Sequence, residues 1–296
     1  MSEQAKLLEI DNLTVRIPLR GGDIVHAASN IALSVQRGEV VAVVGESGCG
    51  KSIIAASVVG SLPPHAVTSG RVQYYYPDGR SVDILARRPR TAMLAATDSE
   101  LAGRRIALVP QSAATFLTPV RTVGSQLAET ISVLGSTHSV EELLARVQLD
   151  GDVAAKYPHE LSGGMAQRAA VAFALAGDPD LVIADEPTAA LDPDLTIVLL
   201  TMLREIADAG AGVMLITHDI SELRDSGIAD RIAVMYASRF EETGAADQVL
   251  EAPNSPYMRD LLAALPENGM HSMPGAVPSL TNLADDYCYA RRLEEA

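Results

Sequence analysis

The sequence predicts an α/β fold: a mainly parallel sheet, a small N-terminal antiparallel β-subdomain and an inserted helical subdomain. Three patterns carry that reading. Apolar runs of four or five residues, at 40–44, 106–109, 181–184, 213–216 and 232–235, alternate with helical stretches, as strands buried on both faces of a parallel sheet do. Residues 7–17 and 31–35 instead alternate apolar and polar, the pattern of half-buried strands. From about Ser112 to Tyr157 the pattern turns helical, and residues 141–149 are its clearest amphipathic piece.

The elements follow in order. Gly21-Gly22-Asp23 reads as the turn of an antiparallel hairpin. The run at 40–44 enters Gly45, and a helix is expected from Lys51 to about Ser61, stopped by Pro63-Pro64. Tyr74-Tyr75-Tyr76 before Pro77-Asp78-Gly79 reads as strand and turn, and Arg87 to Arg90 as a solvated basic face. The run at 106–109 ends at Pro110-Gln111. Helices are expected on both faces of the parallel sheet. After about Pro266 periodicity fades, and by its residues alone the segment 274–280 is an exposed, extended linker.

Composition bounds the classes. Hydrophobic residues make up 48%, enough for a sizeable core, but aromatics only 4% with no Trp, so Ala, Val, Leu and Ile must build it. The net charge, 23 − 38 = −15, argues against a nucleic-acid partner. Two cysteines, Cys49 and Cys288, suit a reducing compartment better than a disulfide framework. Neither a basic leader with an apolar run nor an apolar stretch of membrane-spanning length is read, so membrane association is expected through partner subunits.

Four local motifs carry chemistry. Gly45-Glu46-Ser47-Gly48-Cys49-Gly50-Lys51-Ser52 fits G-x-x-x-x-G-K-[ST] between an apolar strand and a helix. Its glycines let backbone N–H groups wrap phosphates, Lys51 offsets the β/γ charge, and the Ser52 hydroxyl suits Mg²⁺. A buried strand ending in Asp185 can hold Mg²⁺ through water, and Glu186, one residue on, can polarise an attacking water. Gln111 and His218 also end apolar strands; the amide suits Mg²⁺ or water, and the imidazole can link the γ-phosphate to the base. Leu161-Ser162-Gly163-Gly164-Met165 opens a helix whose free N–H groups can approach an anion.

In this order the motifs GESGCGKS (45–52), Gln111, LSGGM (161–165), LVIADE (181–186), AALD (189–192) and His218 resemble the ATP-binding subunit of an ABC transporter, over about residues 7 to 265. The resemblance implies an ABC-type P-loop NTPase core over residues 1–266, with a helical subdomain at about 112–165, and a tail over 267–296. It implies ATP and Mg²⁺ as cofactors, with Ile53 continuing the nucleotide contacts of the loop. It also implies a head-to-tail dimer with a second ABC ATPase subunit, paralogue or self. ATP then lies between one phosphate loop and the other subunit's Ser162-Gly163-Gly164, with Asp192 in the loop that crosses the interface. Met165, Tyr157-Pro158-His159, Asn254-Ser255-Pro256-Tyr257 and the segment 274–280 resemble the peptide/nickel importer group. That implies two membrane permease subunits, an extracytoplasmic substrate-binding protein, and a place at the cytoplasmic face of the membrane. The cargo would be peptides, nickel or metal–chelate complexes. The alternatives are a soluble ABC ATPase of DNA repair or translation, and a weakly active partner in a heterodimeric pair.

The chain departs from that family twice. No Phe, Tyr or Trp precedes Tyr74, so the usual adenine-stacking ring is missing; Ile17 stands in its place and His26 is the nearest flat ring, so adenine is expected to be held by apolar contact and by His26. Tails of the peptide/nickel group often carry several cysteines, whereas Cys288 stands alone here, so no iron–sulfur cluster is expected. Cys49, beside the phosphates, is expected to react with alkylating reagents when nucleotide is absent.

Overall fold

The computed structural model describes residues 6–87, 100–189 and 191–295. The basic face expected at Arg87 to Arg90 lies outside the described residues, apart from the backbone of Arg87, as does Ala190 of the segment 189–192. The N-terminal strands β1 (Lys6–Pro18) and β2 (Ile24–Gln36) form the expected hairpin. The four valines and one alanine of β3 (Val40–Val44) are all buried, and α1 (Lys51–Val58) follows. That helix stops three residues before Ser61, because Gly60 turns the chain left-handed (φ +73°) well ahead of Pro63-Pro64.

Next come β4 (Val67–Tyr75), β5 (Ser81–Asp83) and β6 (Ile106–Val109). The helical stretch contains α2 (Ala113–Phe116), α3 (Val123–Leu134) and α4 (Val140–Arg146). Ser139 and Glu142 cap α4 reciprocally, and Gln148, with φ +55°, ends its run. Then follow α5 (Gly163–Leu175), β7 (Leu181–Asp185), α6 (Pro193–Asp208), β8 (Gly212–Thr217), α7 (Ile220–Ser226), β9 (Arg231–Tyr236) and β10 (Arg239–Ala245). The chain continues through α8 (Ala246–Glu251), α9 (Pro256–Ala263) and, within the tail, α10 (Tyr289–Glu295).

The large sheet has the order β10-β9-β3-β8-β7-β6, parallel except for the antiparallel edge pair β9–β10; the small one has the order β2-β1-β4-β5. Successive strand residues face opposite ways, so Val40, Ala42 and Val44 join one hydrophobic cluster with α5 and α6, and Val41 and Val43 another. The second cluster contains α1 and the antiparallel sheet, so helices alone do not cover that face as expected. The tail is not a free linker. Thr281 bridges Val25 of β2, and Tyr287 and Tyr289 pack with Tyr236 and Tyr257.

Asp180 ties the two sheets together. It accepts from the Tyr74 hydroxyl of β4 (2.6 Å), from Arg37 after β2 (2.6 Å) and from Arg105 before β6 (3.1 Å). Burial would raise its carboxyl, but these donors prevail and hold it below the ordinary 3.8. A depressed carboxyl stabilises the fold above its unfolded-state pKa and loses that contribution as pH falls through the folded value. We therefore expect Asp180→Asn to cost about 2–3 kcal/mol at neutral pH in thermal unfolding. The difference from wild type should shrink below about pH 4.

Candidate active site

The phosphate loop connects β3 to α1 through two glycines that no other residue could replace cheaply. Gly45 (φ +153°) lies so close to Met235 that a Cβ would collide with its carbonyl oxygen, and at Gly50 (φ +112°) the obstacle is the carbonyl of Ala27. Gly50 caps α1 without a side chain, which leaves the first N–H groups of that helix free for an anion. Lys51 is buried (4% exposed), and its Nζ donates to the carbonyls of Gly45 (2.7 Å) and Glu46 (3.2 Å). The ammonium is thus held over the loop, where an anion of greater charge could compete for it.

Three other strand ends meet the loop at Glu186. Its Oε1 lies 3.8 Å from Lys51 Nζ and 3.4 Å from His218 Nδ1, and its Oε2 accepts from Gln111 Nε2 at 2.7 Å. Glu186 has left-handed backbone (φ +47°), fixed by its N–H donating to Ile216 O at 2.8 Å. Ser52 Oγ donates to Asp185 Oδ1 at 3.2 Å, and burial pushes the Asp185 carboxyl up. Asp185 is half-buried at the end of β7, beside Ser52. Together with the hydroxyl of Ser52 and the amide oxygen of Gln111 it offers hard oxygen donors that suit Mg²⁺. Among the described residues no three His, Cys, Asp or Glu side chains converge as a metal cage.

A cleft of about 400 Å³ opens beside Glu186, though neither Asp185 nor His218 lines it. Ser47, Gly48, Gly50, Lys51, Ser52, Ile53, Gln111 and Glu186 line it, as do Ile17, Val25, Ala27 and Leu280. Ser162, Gly163, Gly164, Met165 and Asp192 do not. Ser162 caps α5 by accepting from Met165 N–H (3.2 Å), and Asp192 caps α6 by accepting from Leu195 N–H (3.0 Å). A Cβ at Gly164 would strike Leu195, so these two caps are packed against each other. Gln167 Nε2 on α5 donates to Pro110 O (3.0 Å) and so connects this region to the strand end that carries Gln111.

Sequence reasoning missed the contacts of Glu46. Arg292 on α10, 3% exposed at its side chain, grips that carboxylate with two nitrogens at 2.7 and 3.3 Å. Tyr257 accepts from Glu46 N–H at 3.1 Å. Tyr257 lies in the segment 254–257 already singled out, but nothing local to Arg292 signals its partner. Two expectations are corrected. His26 does not reach the cleft: in a strand its neighbours Val25 and Ala27 face inward, and its Nδ1 sits 3.4 Å from Asp285 in the tail. Cys49 is buried in the core while its amide serves the loop, and burial pushes its thiol up, away from the reactive thiolate. In the folded chain without nucleotide, a maleimide should therefore label Cys288, which is exposed, and spare Cys49 until denaturant is added; peptide mass mapping reads both sites.

Comparison with known proteins places this site in a family. Residues 28–189 match the ABC transporter family model. A putative peptide import ATP-binding protein of Brucella melitensis is 36% identical, over 99% of this chain and 90% of its own. The dipeptide transport ATP-binding protein DppD of Bacillus subtilis is 35% identical, over 93% of this chain and 83% of its own. Among solved structures, a dimeric post-hydrolysis state of the ATP-binding cassette MJ0796 bound to ADP and Pi superposes with a TM-score of 0.65. It is 25% identical and covers 81% of this chain and 99% of that one. With the P-loop α/β fold and its motifs in register, the chain belongs to the ABC transporter family, as one of its ATPases.

Proposed function

We propose that this ATPase powers the import of peptides, working in a head-to-tail pair with a second ABC ATPase subunit, paralogue or self. The carrying observation is the convergence of Lys51, Gln111 and His218 on Glu186, with Ser162 to Met165 outside the cleft that Lys51, Gln111 and Glu186 line. A site with its γ-phosphate machinery in place and its serine–glycine turn elsewhere is one that another subunit completes. The dimeric state named for MJ0796 and the peptide-import names of the relatives support the same reading.

In this mechanism the N–H groups of Gly45 to Ser52 bind the phosphates, and Lys51 exchanges the carbonyls of Gly45 and Glu46 for β- and γ-oxygens. Ser52, Asp185 and Gln111 would hold Mg²⁺, which supplies charge neutralisation on the phosphates. Glu186 releases Gln111, accepts a hydrogen bond from water and takes its proton as the water oxygen bonds to the γ-phosphorus and the bond to the β–γ bridging oxygen breaks, its electron pair leaving on ADP. His218 orients Glu186 and the γ-phosphate. The partner's serine–glycine turn closes over the γ-phosphate, with Asp192 at the crossing, and release of phosphate reopens the pair. None of the described helices is long and apolar enough to cross a membrane. Two permease subunits would accordingly anchor the pair at the cytoplasmic face, receiving cargo from an extracytoplasmic binding protein, and the region around Gln111 would meet them. The division into an ATPase domain at 1–266 and a tail at 267–296 belongs to this proposal.

Glu186→Gln should reduce hydrolysis by at least about 100-fold. It should retain ATP binding and accumulate an ATP-bound dimer in size-exclusion chromatography. Hydrolysis at the wild-type rate would remove Glu186 from this role. In cells lacking the chain, uptake of labelled di- and oligopeptides should fall and Ni²⁺ uptake should not; loss of nickel or metal–chelate uptake instead would reassign the cargo.

A further inference from the structure

The cleft around the phosphate loop has a charged side and an apolar side. Lys51, Ser52 and Glu186 make the first; Ile17 and Val25 of the β1–β2 hairpin, with Leu280 of the tail, make the second. Among the described residues no aromatic ring lines it. A nucleoside triphosphate is likewise divided, with a charged chain at one end and a flat, weakly polar base at the other.

Leu280 is fixed there by its own backbone and not by chance packing. Its carbonyl accepts from His26 N–H at 2.8 Å, and Thr281 bridges Val25 antiparallel. Asn282 donates its N–H to Ile24 O (2.8 Å), while its side chain accepts from Ile24 N–H (2.9 Å) and donates to Asp23 (2.8 Å). The tail thereby covers the free edge of β2, the outermost strand of its sheet. The same tail is anchored a second time where Arg292 holds Glu46 inside the phosphate loop. The tail that carries Leu280 is thus tied both to the hairpin, beside Leu280, and to the loop, through Arg292.

We propose that Leu280 is a base-contacting residue, and that the nucleotide's base packs on an apolar shelf of Ile17, Val25 and Leu280. The tail then supplies part of the nucleotide site in place of a stacking ring. The inference rests on the reading of Gly45 to Ser52 as the phosphate site.

The test titrates the full chain with ATP and with inorganic tripolyphosphate, which has the charge but no base. Leu280→Ala should raise the Kd for ATP about three- to tenfold, the loss expected from one partly buried leucine contact, and leave tripolyphosphate unchanged. Leu280→Phe should tighten ATP alone, and it carries the test if Leu280→Ala lowers the unfolding temperature. Unchanged ATP binding in both variants would overturn the proposal. So would equal weakening of both ligands, which would make the tail a brace for the loop. Lys51→Ala should weaken both ligands together; if it alters neither, the phosphate-site reading fails, whatever Leu280 does.

Discussion

Everything in the site depends on the parallel register of four strands. Val44 of β3 is level with Thr217 of β8, Ile216 of β8 with Asp185 of β7, and Ala184 of β7 with Val109 of β6. Since parallel strands all point one way, the residues that follow them emerge at one edge of the sheet. Gly45, Glu186, His218 and Gln111 are the first polar or flexible groups beyond that edge. Their convergence follows from strands whose C-terminal ends are level. The apolar residues of β3, β7 and β8 hold that edge in place from both faces.

At that edge charge is balanced in advance. Lys51 is satisfied by carbonyls of its own loop, and Gln111 occupies one oxygen of Glu186. The ammonium and the carboxylate thus have partners within the chain that an anion bound at the loop would have to replace. Glu186 departs from comfortable geometry. Its left-handed backbone is tolerated because its N–H completes the ladder to Ile216 and its side chain is surrounded by donors.

Much of this was legible in the sequence because it is local. Strand, glycine turn, lysine and helix lie within thirteen positions from Val40 to Ser52, and β7 carries Asp185 and Glu186 on adjacent residues. The fold class follows from the same apolar runs. What was not legible depends on direction or on distance. Cys49 sits in the motif, yet its amide faces the loop while its thiol enters the core, a distinction that residue identity does not encode. Val25 and His26 are adjacent, but the pleat sends one toward the cleft and the other toward Asp285. The tail's order was not legible because it comes from β2, Tyr236 and Glu46, all far upstream.

The pairing of Arg292 with Glu46 has a consequence for how the chain matures. The two residues are 246 positions apart, so the glutamate of the phosphate loop is synthesised long before the guanidinium that holds it. During translation the loop must pass through a stage in which that carboxylate is hydrated and the neighbouring tyrosine cluster is incomplete. The motif that is easiest to read in the sequence is consequently among the last parts of the molecule to reach its finished form.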